Sequence, residues 1–152
     1  MNEPIIKIVE SEQELRDAQE VRKKVFQEEQ GIGAELDFDG KDNEAEHVIV
    51  YLENNPIGTA RARYLDDKKE LAKIERVAVL QEYRKLKIGK LIMDYLHEFL
   101  KEKGVKEAKL ESQEHAKGFY EKLGYEQKGE TFEEVGIPHV KMERKFGSFK
   151  MK

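Results

Sequence analysis

Val79-Leu80-Gln81-Glu82-Tyr83-Arg84-Lys85-Leu86-Lys87-Ile88-Gly89-Lys90 joins two segments of opposite character. Before it, Leu71 to Leu80 carries Ile74-Glu75-Arg76-Val77-Ala78-Val79 at its centre, an apolar and β-branched composition that predicts a strand. After it, Ile88, Leu91, Ile92, Tyr95, Leu96, Phe99 and Leu100 form one apolar stripe at helical spacing, and Gly104 is placed to end the helix. The residues therefore predict a strand leading into a helix from about Arg84 to Lys103. Arg84, Lys85, Lys87 and Lys90 crowd the start of that helix. The helix macrodipole already makes that end positive, so cations there cost stability. An anion held by exposed backbone N–H groups and these cations would account for them, and pyrophosphate is the natural candidate. A solvated basic face is the competing reading.

The flanking sequence supplies the rest of the plan. Ile5 to Val9 suits a first strand. Ser11-Glu12-Gln13-Glu14 has the spacing of a capping box, and Leu15, Ala18, Val21, Val25 and Phe26 follow at helical spacing towards Gly31. Residues 31 to 45 read as an irregular acidic loop. His47 to Leu52 is a second strand, Asn54-Asn55-Pro56 a turn, and Ile57 to Leu65 a strand in which Ala60, Ala62 and Tyr64 alternate with Arg61 and Arg63. Asp66-Asp67-Lys68-Lys69 is the turn before Leu71. Past Gly104, Val105 to Glu111 reads as a strand and Ala116 to Leu123 as a short helix ended by Gly124. Tyr125 to Gly129 and Val140 to Arg144 read as closing strands. The order β-α-β-β-β-α-β-α-β-β is an α+β plan, with an antiparallel meander and a helix-linked strand pair in the middle. No repeat or linker interrupts it, so one domain over residues 1–146 is expected, with 147–152 as a frayed tail.

Composition narrows the function. Charged residues make up 39% of the 152, yet the formal net charge is only −4, which fits a solvated surface and argues against a nucleic-acid binder. Cysteine is absent, which rules out disulfides, thiolate metal sites and a cysteine acyl-enzyme. No apolar run approaches a membrane span, and Met1 to Ile5 lacks the start of a signal peptide, so a cytoplasmic protein is expected. The four histidines are scattered without metal-ligand spacing. Asp37-Phe38-Asp39-Gly40-Lys41-Asp42 has its glycine two positions too early for a calcium loop, with Lys41 in place of a ligand. Gly31-Ile32-Gly33 lacks the third glycine and the preceding strand of a dinucleotide site.

The strand, Arg84, Gly89 and the long helix resemble the acyl-CoA-binding segment of the GNAT N-acetyltransferases, whose usual pattern is Arg/Gln-x-x-Gly-x-Gly/Ala. Lys87 stands at the first glycine position. A second segment, Gln113-Glu114-His115-Ala116-Lys117-Gly118-Phe119-Tyr120-Glu121-Lys122-Leu123-Gly124-Tyr125, is similar to the family's Asn-x-x-Ala-x-x-Phe-Tyr-x-x-x-Gly-Phe. Gln113 replaces Asn there and Tyr125 replaces Phe. Glu134 to Met142, and Val25 to Gln30 with Glu35-Leu36-Asp37, resemble the small bacterial ElaA/YjcF-like branch. The likeness runs from about residue 5 to residue 146.

The resemblance implies a central mixed, mostly antiparallel sheet flanked by helices. It also implies direct transfer of an acetyl group from acetyl-CoA, as co-substrate, to an amine. Val77, Ala78 and Val79 would meet the pantetheine arm, one of their amides polarising the thioester oxygen. Arg84, Lys85, Leu86, Lys87, Ile88, Gly89 and Lys90 would take the phosphates. Gln113, Phe119 and Tyr120 would complete the cofactor site, with Tyr120 as general acid towards the CoA thiolate. Glu75 is the first candidate base and His139, in Gly-Ile-Pro-His, the second; His47 and His115 read as structural. Glu75 paired with Arg61, Arg63 or Arg76 is the bland alternative. The acidic loop is either solvated or a wall of the acceptor pocket that would favour a cationic amine. A homodimer through the C-terminal strands stays open. No metal, membrane or nucleic-acid partner is expected. Two further functions compete, a non-catalytic acyl-CoA-binding module on the same fold and a nucleic-acid-associated protein that uses the basic helix start.

Overall fold

The computed structural model describes residues 3–34 and 39–147. Glu35, Leu36 and Asp37 of the resemblance, the Asp37-Phe38 start of the calcium-like loop and residues 148–152 of the expected tail lie outside the described residues. Seven strands form one mixed sheet in the order β1-β2-β3-β4-β5-β7-β6. They are β1 (Ile5–Ile8), β2 (Glu46–Leu52), β3 (Asn55–Tyr64), β4 (Leu71–Val79), β5 (Glu107–Gln113), β6 (Glu126–Glu134) and β7 (Ile137–Lys145). The helices are α1 (Glu12–Arg22), α2 (Ile88–Glu102) and α3 (Lys117–Glu121). By internal packing the chain divides into two compact units, residues 1–63 with 76–99, and residues 64–75 with 100–152.

In the first unit, β1 pairs antiparallel with β2, and β2 with β3. The α1 N-terminus is capped as its sequence predicts: Ser11 Oγ accepts from the Glu14 N–H at 3.1 Å. Glu14 Oε1 in turn accepts from the Glu10 N–H at 2.7 Å. Beyond Arg22 the helix continues as a π-helix over Lys23–Glu29, closed by the Gln30 N–H on the Val25 carbonyl at 3.1 Å. The β2–β3 turn lies one residue earlier than predicted. Glu53 and Asn54 take φ 52° and 70°, the left-handed pair a two-residue hairpin requires. Asn55 and Pro56 already belong to β3, and a register shift between Val50 and Tyr51 accommodates them.

The long helix begins at Ile88, four residues later than predicted. Gln81–Leu86 instead form a 3-10 helix, opened by the Tyr83 N–H on the Leu80 carbonyl. Lys87 then turns left-handed, at φ 61° and ψ 31°. The start of α2 is held close to β3 at Gly58, where a Cβ would come within 2.9 Å of Ile92 Cδ1 and 3.2 Å of Ile88 Cγ2. A side chain at Gly58 would therefore have to push the Ile92 and Ile88 side chains aside.

In the second unit, the first half of β4 runs parallel to β5, from Leu71 opposite Glu107 to Ile74 opposite Leu110. β7 lies antiparallel between β5 and β6. Both glycines predicted to end helices do so in Schellman motifs. Val105 and Gly104 N–H groups reach the Leu100 and Lys101 carbonyls, and Tyr125 and Gly124 N–H groups reach those of Tyr120 and Glu121, at 3.0–3.1 Å. Gly104 and Gly124 have φ 92° and 94°. The two last strands are longer than predicted, turning at Val135-Gly136 with φ 47° and 75°. β6 is exposed along most of its length, so its Lys128 to Glu134 portion carries no apolar alternation to reveal a strand. No helix among the described residues is long and apolar enough to cross a membrane.

Candidate active site

The residues singled out in the sequence fall into two groups, one in each unit. In the first unit, β4 ends in Val77, Ala78 and Val79, and Ala78 is buried against Val21 and Val25. Arg84 does not project freely from the following turn. Its Nε donates to the Val79 carbonyl at 3.0 Å, and its two terminal nitrogens grip the Glu29 carboxylate at 2.8 and 2.6 Å. This bidentate pair holds the Glu29 carboxyl below the usual range and raises Arg84 further. Both side chains are about a third or more exposed, so the pair is worth little as stability. Its effect is geometric: it ties the 3-10 turn to the end of the π-helix, while the Arg84 Nε bond ties the same turn to the end of β4.

Lys85, Leu86 and Lys87 are exposed, Ile88 is buried and Gly89 is half-buried. The Lys87 carbonyl accepts the N–H of Leu91 at 3.2 Å, the first bond of α2. The amides of Ile88, Gly89 and Lys90 therefore have no acceptor within the helix. Lys87 carries no side-chain oxygen to cap them. Its left-handed backbone is the conformation glycine adopts most easily, at the position where the family pattern has its first glycine. Lys90 pairs with Asp94 at 2.6 Å.

Behind this segment lies an ionic cluster. Arg61, fully buried on β3, donates to Asp39 through both terminal nitrogens at 2.8 Å and to Asp42 at 2.9 Å. Asp42 also receives Arg22, which is fully buried, at 2.8 Å and Gln19 at 2.9 Å. Asp39 receives Arg76 of β4 at 3.3 Å. The hydrogen bonds from Arg61 hold the Asp39 carboxyl far below its ordinary range. Burial pushes Asp42 up, but the bonds from Gln19 and Arg22 outweigh it and the net shift is downward. His47 is buried with Nε2 on the Asp42 carbonyl at 2.9 Å, and burial lowers its pKa. This is the structural setting expected of it.

In the second unit, register places both base candidates on one face of the sheet. Ile74 opposite Leu110 faces the core, so Glu75 and Glu111 face the other way. Gln113 lies opposite His139 on that same face. Lys73 Nζ stands 3.6 Å from both the Glu75 and the Glu111 carboxylates. His139 is buried, its ring tilted against Phe132 with centroids 5.8 Å apart. Its Nδ1 lies 2.8 Å from the Ile137 carbonyl. A carbonyl only accepts, so Nδ1 carries a proton, and the tautomer this contact selects has its lone pair on Nε2.

Tyr120 is 9% exposed. Its ring meets Phe119 and Tyr125 edge-on, with centroids 4.9 and 6.0 Å away. Burial raises its hydroxyl well above the ordinary tyrosine value. Phe119 is more open, at 36%. His115 lies outside this group, with Nε2 2.7 Å from Gln113 Oε1 at the exposed end of β5. Two surface grooves of about 370 and 480 Å³ lie elsewhere in this unit, and no predicted site residue lines either. No cluster of three or more potential metal ligands occurs among the described residues.

The sequence profile of the acetyltransferase (GNAT) domain matches residues 8–146. The chain belongs to the GNAT acetyltransferase family. A Bacillus subtilis protein described as an acetyltransferase is 46% identical over 140 residues, covering 90% of this chain and 93% of its own. The N-acetyltransferase YjcF of the same organism is 38% identical, covering 89% and 95%. The crystal structure of Escherichia coli ElaA superposes with a TM-score of 0.83 at 29% identity, over 95% of this chain and 99% of that one. An aminoglycoside 6′-N-acetyltransferase crystallised with coenzyme A shares the fold, with a TM-score of 0.78 at 16% identity over 97% and 99%. The GNAT fold and the ElaA/YjcF-like kinship thus stand as the sequence implied.

Sequence reasoning missed Glu29, Lys73, Phe132 and the ionic cluster of Asp39, Asp42, Arg22 and Arg61. Lys73 could have been found, since it is two residues from Glu75 on an alternating strand. Glu29 lies 55 residues from Arg84, within the branch-like Val25 to Gln30 segment, which gives no sign of its partner.

Proposed function

We propose that this GNAT protein transfers an acetyl group from acetyl-CoA directly to a primary amine. One observation carries the reading. Between β4 and α2, a left-handed Lys87 leads into three helix amides without internal acceptors, flanked by exposed lysines, which suits a pyrophosphate. Lys85, Lys87 and the amides of Ile88, Gly89 and Lys90 take the phosphates. The Arg84 guanidinium, occupied by Glu29 and Val79, fixes the turn rather than reaching for the ligand.

In the reaction the amine nitrogen attacks the thioester carbonyl carbon. The C–N bond forms and the carbonyl oxygen gains negative charge, which an amide of Val77 to Val79 stabilises. The C–S bond then breaks, the nitrogen gives its proton to a base and the sulfur leaves towards Tyr120. Because burial keeps Tyr120 protonated at any working pH, its role is to donate a hydrogen bond to the departing sulfur. Glu75 is the first choice of base, with the Lys73 ammonium alongside; His139, with its free Nε2 lone pair, is the second. A cytoplasmic location and a small-molecule or peptide amine fit this chemistry.

Thiol release tests it cleanly, because the chain has no cysteine to react with the thiol reagent. A panel of primary amines, polyamines and aminated peptides is expected to include an acceptor that releases CoA. With that acceptor, Glu75→Gln should lower kcat/KM by about 10²-fold at neutral pH, and His139→Gln by less than about threefold. The reverse order would move the base to His139. Binding of acetyl-CoA with no thiol release to any acceptor would favour an acyl-CoA-binding module instead.

A further inference from the structure

Six non-glycine residues among those described have positive φ. Five of them sit at element boundaries. Glu53, Asn54 and Val135 lie in hairpin turns, Lys69 in the turn before β4 and Lys87 ahead of α2. Arg76 alone lies inside a strand, at φ 56° within β4. A residue with a side chain enters this region rarely, and persists there only where its surroundings hold it. Here the surroundings are ionic. The Arg76 guanidinium reaches Asp39 at 3.3 Å, and Asp39 is itself fixed by the fully buried Arg61. The next residues, Val77 to Val79, are the strand end that leads into the phosphate turn, and the Val79 carbonyl receives Arg84.

We propose that Arg76 and Asp39 are positioning residues: their ion pair holds β4 in its left-handed turn and thereby sets the direction of the Val77–Val79 peptide groups that read the acyl-pantetheine arm. The inference rests on the acetyl-CoA reading above and adds to it the part of the chain that aims the strand. The turn at Arg76 re-aims every peptide group after it, since a rotation about one φ carries the following backbone with it. A regular strand would present different N–H groups to the ligand. The pair also joins the Asp39 segment to β4, so the same contact that fixes the strand fixes residues ahead of β2.

Two substitutions at Arg76 separate this role from a general loss of packing. Arg76→Ala removes the guanidinium and leaves a side chain at φ 56°, so the turn loses its tether and keeps its strain. Arg76→Gly also removes the guanidinium, but glycine occupies positive φ without that strain. Isothermal titration with acetyl-CoA, and separately with adenosine 3′-phosphate 5′-diphosphate, which lacks the pantetheine arm, reads the difference. Arg76→Ala is expected to weaken acetyl-CoA about tenfold and the nucleotide fragment less than about threefold. Arg76→Gly should stay within about threefold of wild type for both ligands. Thermal melts without ligand check that both variants fold. Equal acetyl-CoA affinities for the alanine and glycine variants, or equal losses of both ligands in the alanine variant, would overturn the proposal and leave the cofactor site standing. Failure of the wild type to bind acetyl-CoA would overturn the functional reading, and this inference with it.

Discussion

Tyr120→Phe is expected to lower turnover by about 10²-fold while leaving acetyl-CoA affinity within about twofold. The phenylalanine ring keeps the edge-on contacts with Phe119 and Tyr125, and the Tyr120 carbonyl still closes α3 by accepting from Leu123 and Tyr125. What disappears is one hydroxyl. Buried tyrosine with a raised pKa is a poor acid for complete proton transfer but a persistent donor, and its value grows as the sulfur acquires charge. The loss should therefore fall on kcat rather than on binding. Single-turnover kinetics with titrated acetyl-CoA separates the two. A variant that turns over at the wild-type rate would remove Tyr120 from the reaction. One that loses affinity in parallel with rate would make it a binding residue.

Arg61→Ala should have the largest effect on stability, about 3–5 kcal/mol. Arg61 is fully buried and neutralises Asp39 and Asp42, whose side chains are 24% and 12% exposed. Its removal takes away the guanidinium these two largely buried carboxylates share, leaving Asp39 with Arg76 at 3.3 Å and Asp42 with Arg22 and Gln19. A change of that size is a large share of a typical domain's total, about 5–15 kcal/mol. Urea unfolding of both proteins measures it. The pH dependence gives an independent reading. Asp39 and Asp42 are depressed in the folded protein, so their contribution is complete above the unfolded aspartate value, near pH 4, and is lost as pH falls through their folded values. Wild type should therefore weaken as pH falls below about 4. The variant, with less depressed carboxylates, should show a shallower acid limb. A loss under about 1 kcal/mol would mean that the cluster is solvated after all.

Much of this molecule is readable where periodicity is strong. The apolar stripe of α2, the capping box at Ser11 and the closing glycines 104 and 124 each carry a local physical signal, and the structure honours each. What escapes is information held by tertiary partners. The start of α2 reads as Arg84 because Arg84, Lys85 and Leu86 are good helix formers, yet Lys87 breaks the run by turning left-handed. Nothing in a lysine announces that. The full length of β6 is hidden because its Lys128 to Glu134 stretch has Phe132 as its single apolar side chain, too little to show an alternation. At the site, the order of Glu75, Val77 to Val79, Arg84 and Tyr120 is legible through the two family segments. The direction of the Arg84 side chain is not, because Glu29 decides it from 55 residues away. The buried charge cluster is illegible for the same reason: Arg61 looks like the solvent face of an alternating strand until Asp39 and Asp42 fold over it.

The central claim, that the Gln81–Lys90 segment binds the phosphates of acetyl-CoA, is tested most directly by titrating acetyl-CoA into wild type and Gly89→Asp, with ATP as comparator. Aspartate in the first turn of a helix is favourable to the helix dipole, so the variant should fold while presenting a carboxylate where the phosphates would sit. Wild type should bind acetyl-CoA and CoA but not ATP, and the variant should lose at least about tenfold in affinity. Equal affinity in the two proteins, or no binding by wild type at millimolar ligand, would contradict the claim.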